Sequence, residues 1–498
     1  MLYLSKSKYC GLWQCPKIAW LQKYKPEVRT QDSAALSRME TGNEVGDLAM
    51  SLFGDYIEVT AYDGDTLDLP AMLRRTVEEL EKNTPVICEA SFEYNGLYCA
   101  VDILKAEDGG YALYEVKSST HDDKDVYLAD IAYQCYVLSH CGVTVTHAYL
   151  ITVNSDYVFD GTLDLACFFR ITEVSDRIEA EAVNIEDTLR KAETLLTSDE
   201  EPSISLHEGC NAPYPCSFWS YCTRELPSPS VFDLYRLPFS KKLNFYRKGQ
   251  VSFEQLAGEK TVKNDKQLRQ IQHHLQELPP HIDKEGLRRF LSTLSFPLYF
   301  LDFETVQPVI PRYIGTKPFA QIPFQYSLHY IEEAGGELKH KEFLAEADTD
   351  PRRAIAERLC EDIPKDVCVT AYNKAFECTR LKELAAQFPD LAEHLLNIEQ
   401  NIRDLLTPFQ NGCYYNRAMG GSFSIKSVLP ALFPDDPSLD YHNLTGVHNG
   451  SEAMALFPRL GSLSESEQAV ARDQLLRYCE LDTFAMVKVW DAVCRAAE

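Results

Sequence analysis

The 498-residue sequence has no run of about 20 apolar residues, the length a helix needs to cross a bilayer, so no membrane span is expected. Its first residues lack the charged start and long apolar stretch of a signal peptide, and the chain is expected to be cytoplasmic. It also lacks an excess of positive charge. Lys and Arg total 49 against 75 Asp and Glu, a formal net charge of −26. That excludes nucleic-acid binding through bulk attraction, and leaves only a local basic groove on an acidic body. No repeat of 20–50 residues is present, which excludes a solenoid. No Walker motif is present either: the stretch Gly420-Gly421-Ser422-Phe423-Ser424-Ile425-Lys426-Ser427 lacks the glycine before its lysine.

What is there is a well-stocked globular composition, 45% hydrophobic and 25% charged, which rules out a disordered chain. Strand-like runs alternate with helical ones, and this pattern predicts an α/β protein. Three segments follow from the composition: residues 1–225, a basic helical connector over 226–290, and residues 291–498. The connector carries Lys241, Lys242, Arg247, Lys248, Lys260, Lys263, Lys266 and Arg269. It reads either as a solvated linker or as a strip that steers a phosphate backbone.

The first segment holds a run ending Cys99-Ala100-Val101-Asp102-Ile103-Leu104, a turn at Glu107-Asp108-Gly109-Gly110, and a second run, Tyr111 to Lys117. This predicts a hairpin. Strand periodicity puts Glu115 and Lys117 on one face, and the hairpin can bring Asp102 beside them. Two carboxylates at one point suit magnesium or manganese, and the lysine adds positive charge for an attacking water or a phosphorane. Glu89 is a further candidate one strand earlier. The arrangement resembles the PD-(D/E)XK nuclease core in its RecB-like branch. That branch has a Gln-x-x-x-Tyr helix; here Gln134 fits, Leu138 stands where the tyrosine would, and Tyr136 is the looser match for a nucleic-acid contact. The branch also has an early metal-binding histidine. Gly42 to Asp47 lies at that place without one, and Glu44 or Asp47 is the available substitute.

Cys15 precedes Pro16, and Cys210, Cys216 and Cys222 follow at regular spacing far downstream. In the cytosol thiols stay reduced, so disulfides are not expected. One early and three late cysteines around a nuclease core resemble the iron–sulfur RecB-type nucleases, including CRISPR-associated and AddB-like ones. The resemblance implies a 4Fe–4S cluster on these four residues, with zinc or plain thiols as alternatives; no Cys-x2-Cys knuckle of the zinc type is present.

In the last segment Asp302-Phe303-Glu304 lies on an apolar run, with both carboxylates on one face and Phe303 toward the core. Glu377 starts the helix after the next strand. Tyr478 and Asp482 stand four apart on a final helix, and so share a face. Lys426 and Phe423 are loop candidates for a phosphate and a base, as is Gln321 to Gln325 for substrate. Asp404 is a supplementary carboxylate. Three motifs in this order resemble the DnaQ-like 3′–5′ exonucleases of the ribonuclease H-like fold, whose third motif is Tyr-x3-Asp. The resemblance implies a two-metal site on Asp302, Glu304, Glu377 and Asp482, with Tyr478 orienting water. Glu377 departs from the Asp usual there.

Over nearly its whole length the chain resembles a prokaryotic family that joins an iron–sulfur RecB-like PD-(D/E)XK nuclease domain to a DnaQ-like exonuclease domain. The function this implies is a metal-dependent nuclease on DNA single strands or ends, in repair or phage defence, with a helicase or defence-system partner. RNA is the alternative substrate. The alternative of another class is a nucleic-acid-binding scaffold with one or both sites degenerate.

Overall fold

A computed structural model describes residues 3–30, 33–182, 184–258 and 261–498. The chain is a mixed α/β protein in two compact units. The first comprises Met1–Glu225 with Pro308–Phe319, and the second Leu226–Gln307 with Ala320–Glu498. Among the described residues no helix is long and apolar enough to cross a membrane.

The first unit is built on a seven-stranded sheet: β1 (Leu4–Ser5), β2 (Ile57–Glu58), β3 (Val86–Tyr94), β4 (Leu97–Glu107), β5 (Gly110–Lys117), β6 (Val145–Val153) and β7 (Phe169–Glu173). Their order is β2-β3-β4-β5-β6-β7, and β1 pairs with β4. The β4–β5 hairpin closes with Glu107 opposite Gly110, so Asp108-Gly109 is the whole loop, with Gly109 at φ 88°. Strand β6 returns parallel to β5. Such a return needs a crossover, and α2 (Asp125–His140) supplies it, buried along most of its length. Period-two alternation on β5 sends Leu113 to the core beneath α2 and Ala112 and Tyr114 to a second core on the other face. Helix α1 (Lys6–Gln14) docks on α2 by stacking Tyr9 on Tyr133, ring centroids 4.6 Å apart. The Tyr133 hydroxyl donates to the Leu4 carbonyl at 2.6 Å, which fixes the start of α1.

The second unit holds a five-stranded sheet of β8 (Leu298–Val306), β9 (Ile322–Ile331), β10 (Leu338–Leu344), β11 (Cys368–Ala371) and β12 (Ile402–Asp404), ordered β10-β9-β8-β11-β12. The first three strands run antiparallel and the last two parallel to β8. Along β8, Tyr299, Leu301 and Phe303 enter one core with α3 (Pro351–Asp362) and α4 (Ala375–Gln387). Residues of the other parity face α6 (Glu465–Ala497), where Phe300 packs on Trp490. The start of α6 is fixed by a reciprocal cap between Ser464 and Glu467.

Two expectations are corrected here. Residues 321–325 are not a substrate loop. Gln325 is fully buried within β9 and its amide donates to the Leu475 carbonyl at 2.8 Å. Pro323 fits because pairing with β10 begins only at Gln325. Residues 226–290 are helical but pack within the second unit around their own small core of Val231, Leu234, Phe253, Leu256, Val262 and Ile271. Part of the basic strip is used structurally: Lys242, Lys266 and Arg269 donate to the carbonyls of Phe232, Gln410 and Gly412.

Glu201 ties the early helix Pro16–Tyr24 to the late cysteine segment. It bridges Lys17 at 2.7 Å and Lys25 at 2.9 Å, and accepts from the Tyr221 hydroxyl at 2.6 Å. Burial alone would push its carboxyl up; Lys17, Tyr221 and Lys25 overcome this and hold it down at about 2. A depressed carboxyl stabilises the fold above its unfolded value, and that stability is lost as pH falls. Glu201→Gln should therefore lower the melting temperature at pH 7, and its gap from wild type should close between pH 4.5 and 2, as followed by circular dichroism.

Candidate active sites

In the first unit the structure brings Asp102, Glu115, Lys117 and Gln134 together, and adds two residues that sequence reasoning missed. Lys6, in the first turn of α1, places its ammonium 2.9 Å from Asp102 Oδ1 and 3.2 Å from Glu115 Oε2. Asp130, on α2, lies 2.8 Å from the Lys117 ammonium. Lys117 also bridges Glu115 Oε1 at 2.6 Å. The Gln134 amide donates to Glu115 Oε2 at 2.7 Å and to Asp130 Oδ1 at 3.1 Å. The second oxygen of Asp102 accepts from the Val116 backbone N–H at 2.7 Å. A signal for Asp130 was present, since it precedes Gln134 by four and so shares its helix face. Lys6 had none, because its partners lie about a hundred residues away in sequence.

The charges of this cluster are strongly coupled. Burial would raise Glu115, but Lys117 and Lys6 hold it far below the carboxylate range. Burial and the Glu115 charge raise both Asp102 and Asp130. Glu89 is pushed up to about 7, by burial and then by Asp102, so it does stand beside the cluster. Its backbone is left-handed, φ 56°, in the middle of a strand. A non-glycine residue held there costs on the order of 1–2 kcal/mol. Glu44 and Asp47 are exposed on their helix. Tyr136 is not brought in. Two positions beyond Gln134 it faces away, and it packs on the His140 ring at 4.3 Å.

The oxygens of Asp102 and Glu115 thus all have protein partners, and an ammonium stands where a cation would be held between them. As folded, these residues do not fit a resident divalent ion.

The second unit differs. Asp302 and Glu304 lie on the α6 face of β8, and their oxygens and the Cys479 sulfur lie within 4.8 Å of one another. Burial pushes Asp302 far above the carboxylate range, with Asp482, Glu304 and Glu377 adding to it. Burial and Asp482 raise Glu304 to about 8. Burial and Asp404 raise Glu377 to about 8. Glu377 Oε2 is buried without a hydrogen-bond partner. Asp404 spends one oxygen on the N–H groups of Asn373 and Leu406. Tyr478 lies beside Asp482, on the shared face its spacing predicted, and its hydroxyl lowers the Asp482 carboxyl against the effect of burial. Tyr441, which sequence reasoning missed because it lies in an irregular loop, donates its hydroxyl to Asp482 Oδ1 at 2.6 Å. Lys426, in the first turn of α5 (Ile425–Leu432), lies over the rings of Tyr441 and Tyr478, 5.1 and 5.7 Å from their centroids, and its charge reaches Asp302, Glu304 and Asp482. Phe423 is not free for a base: it is buried and packs on Tyr235 at 4.4 Å. Three buried carboxyls and the half-buried Asp302, with one nearby lysine and an orphaned oxygen, form a donor set that fits hard divalent cations.

Cys15, Cys210, Cys216 and Cys222 lie near one another within the first unit as free thiols, all raised by burial, and in Cys210, Cys216 and Cys222 the charge of others in the group adds to it. His207 Nε2 is a buried nitrogen without a partner, three residues before Cys210. Cys10 goes elsewhere, facing Asp130 and Lys117.

A model of the family "Domain of unknown function (DUF2779)" matches residues 299–424. The chain is 28% identical over 207 residues to Uncharacterized protein MG366 of Mycoplasma genitalium, 38% of this chain and 31% of that protein. It is 27% identical over 229 residues to Uncharacterized protein UU173 of Ureaplasma parvum, 40% of this chain and 31% of that protein. The chain thus spans about a third of the length of these relatives. The crystal structure of SSO0001 aligns with 45% of this chain and 87% of its own, at 13% identity and a TM-score of 0.23.

Removing Lys6 should expose the first cluster. Lys6→Met should cost about 3 kcal/mol in metal-free buffer, the order expected when one partner leaves a buried ion pair. Manganese should restore more melting temperature to this variant than to wild type. In the second site the sign is opposite to that of Glu201. Carboxyls raised from 4.5 to about 8 hold protons in the folded state that the unfolded chain has released, so metal-free stability should fall as pH rises through that window. Manganese should reverse the fall above pH 8, and Asp302→Asn should weaken that rescue in a thermal-shift titration.

Proposed function

We propose that the protein is a metal-dependent nuclease whose hydrolytic centre is the carboxylate site of the second unit. The observation that carries this is the burial of Asp302, Glu304, Glu377 and Asp482 together with an unpartnered oxygen and with Lys426 alongside. These four residues would hold magnesium or manganese, which supplies Lewis-acid and water-activating chemistry toward a phosphodiester. The chain's own groups do the rest. Lys426 presents a fixed positive charge to a phosphate. Tyr441 holds the Asp482 carboxylate in one orientation, with Tyr478 beside it. Glu304 and Glu377 are raised to about 8 without metal, so taking up the ion near neutral pH would release their protons. A cleft of about 480 Å³ lined by Tyr235, Arg236, Asn373, Ser422 and Ser424 adjoins α5 and would seat a strand. The sheet, three antiparallel strands followed by two parallel ones, supports a ribonuclease H-like reading of this unit and a DnaQ-like 3′–5′ exonuclease activity, with DNA ends as substrate.

For the first unit, the convergence of Asp102, Glu115, Lys117 and Gln134 supports a PD-(D/E)XK reading of RecB-like type. Lys6 favours a second reading of its activity, as a closed cluster that binds nucleic acid without cutting. The four thiols would hold a 4Fe–4S cluster, or zinc. Ligation from residue 15 to residues 210–222 closes a long loop, so its contribution is to stability.

End-labelled single-stranded DNA and RNA, incubated with manganese and anaerobically purified protein, test both units. A ladder from 3′ ends is expected on DNA. Asp302→Asn should reduce it at least about 100-fold, the upper range for disturbing a metal shell. Asp102→Asn and Lys117→Ala should leave it unchanged. No ladder from the wild type would sink the reading, and a faster ladder on RNA would reassign the substrate.

A further inference from the structure

On the face of the second sheet that carries the carboxylates, His329 and His340 stand directly opposite each other on β9 and β10. Their rings lie 4.5 Å apart at 35°. Glu480, exposed on α6, faces the pair, and one ligand atom from each of the three lies within 4.8 Å of the others. One nitrogen of each ring has a hydroxyl partner. His329 Nδ1 lies 2.8 Å from the Thr483 hydroxyl, and His340 Nε2 lies 2.9 Å from the Ser327 hydroxyl. Those two hydroxyls are themselves 2.6 Å apart, so one small network orients both imidazoles. An outer hydrogen bond on one ring nitrogen, with the other left for a metal, is how ligating histidines are usually held.

We propose that His329, His340 and Glu480 form a zinc site distinct from the carboxylate site. Two imidazoles and one carboxylate are a ligand set zinc prefers, and three protein ligands leave a position for water. Magnesium and manganese prefer oxygen, so the two sites divide metals by donor chemistry. Burial, with His340 beside it, lowers His329 to about 4, so its ring is neutral at pH 7 and its lone pair is available. The site also has a mechanical consequence. Ser327 pairs with Asp302 in the β8–β9 register, and Thr483 follows Asp482. A metal bridging β9, β10 and α6 would lock the helix that carries Tyr478 and Asp482 onto the sheet that carries Asp302.

Cobalt as a spectroscopic stand-in and zinc by calorimetric titration test this on the full-length protein. His329 is buried, so the diagnostic variants are His340→Gln and Glu480→Gln, at less buried positions. Wild type and Asp302→Asn should both bind one equivalent of zinc that His340→Gln lacks, and Glu480→Gln should bind it at least tenfold more weakly. The cobalt form should show a visible ligand-field band that His340→Gln loses, separate from any thiolate charge-transfer band of the cysteine group. Zinc should raise the melting temperature of wild type more than that of His340→Gln. Equal stoichiometry and affinity in wild type, His340→Gln and Glu480→Gln would overturn the proposal. So would loss of the equivalent in Asp302→Asn alone, which would place that ion in the carboxylate site.

Discussion

Asp302 and Glu304 on β8 meet Glu377 on α4 and Asp482 on α6 with a single nearby ammonium, Lys426, and the Arg380 guanidinium on the Glu377 side, and the excess of like charge has to be met by something. Protons meet it when no cation is present: burial raises all four, and the charge of others in the set adds to it at Asp302 and Glu304. A carboxyl kept protonated near pH 8 is poorly matched to its solvent, and the mismatch is what gives a divalent ion its advantage there. The rest of the unit holds the repelling groups in place: the apolar side of β8 is sunk in one core, and α6 is capped at its start and packed through Trp490 on the other face. Without that frame the carboxyls would swing apart into water.

The first unit meets the same problem with a different cation. Glu115 is almost fully buried, yet it is driven far below the carboxylate range because two ammonium groups and an amide converge on it. Its neighbours Asp102 and Asp130 are driven up by the charge Glu115 keeps. Burial is common to both units, so it does not decide whether such a site is open to metal. The count of fixed cations and the number of committed oxygens decide it. Lys6 is therefore the residue on which the first cluster turns.

Much of this was legible from local pattern. Period two on β8 and β5 placed Asp302 with Glu304 and Glu115 with Lys117. Spacing of four placed Tyr478 with Asp482. The Asp-Gly turn fixed the hairpin that brings Asp102 to Glu115. The unread parts depend on other physics. Lys6 is contributed by a helix whose docking is settled by one ring stack and one tyrosine hydroxyl, contacts that leave no periodic trace. Tyr441 sits in a loop. Strand β9 was missed because its proline marks a break, whereas the strand tolerates it where pairing with β10 has not yet begun. Tyr136 was misplaced by reading a motif loosely where helix geometry forbids it, since residues two apart cannot share a face.

Under the proposed nuclease reading, a chain of net charge −26 must overcome its own field to meet a polyanion. Three cations of the basic strip, Lys242, Lys266 and Arg269, are spent on backbone carbonyls, so the strip has fewer charges for phosphate than its composition suggests. Lys6 and Lys117 are likewise paired with carboxylates. Lys426, over two tyrosine rings, is the ammonium that reaches the second site's carboxyls. On that reading binding would release fewer counterions than the composition of the strip suggests, and its dependence on salt would be shallower, because the slope scales with the phosphates neutralised. Affinity has to come from the divalent ions themselves, which bring to the carboxylate site the positive charge the chain does not supply. On this argument metal is needed for the substrate to stay as well as for the bond to break, and the acidic site and the acidic body are two parts of one design.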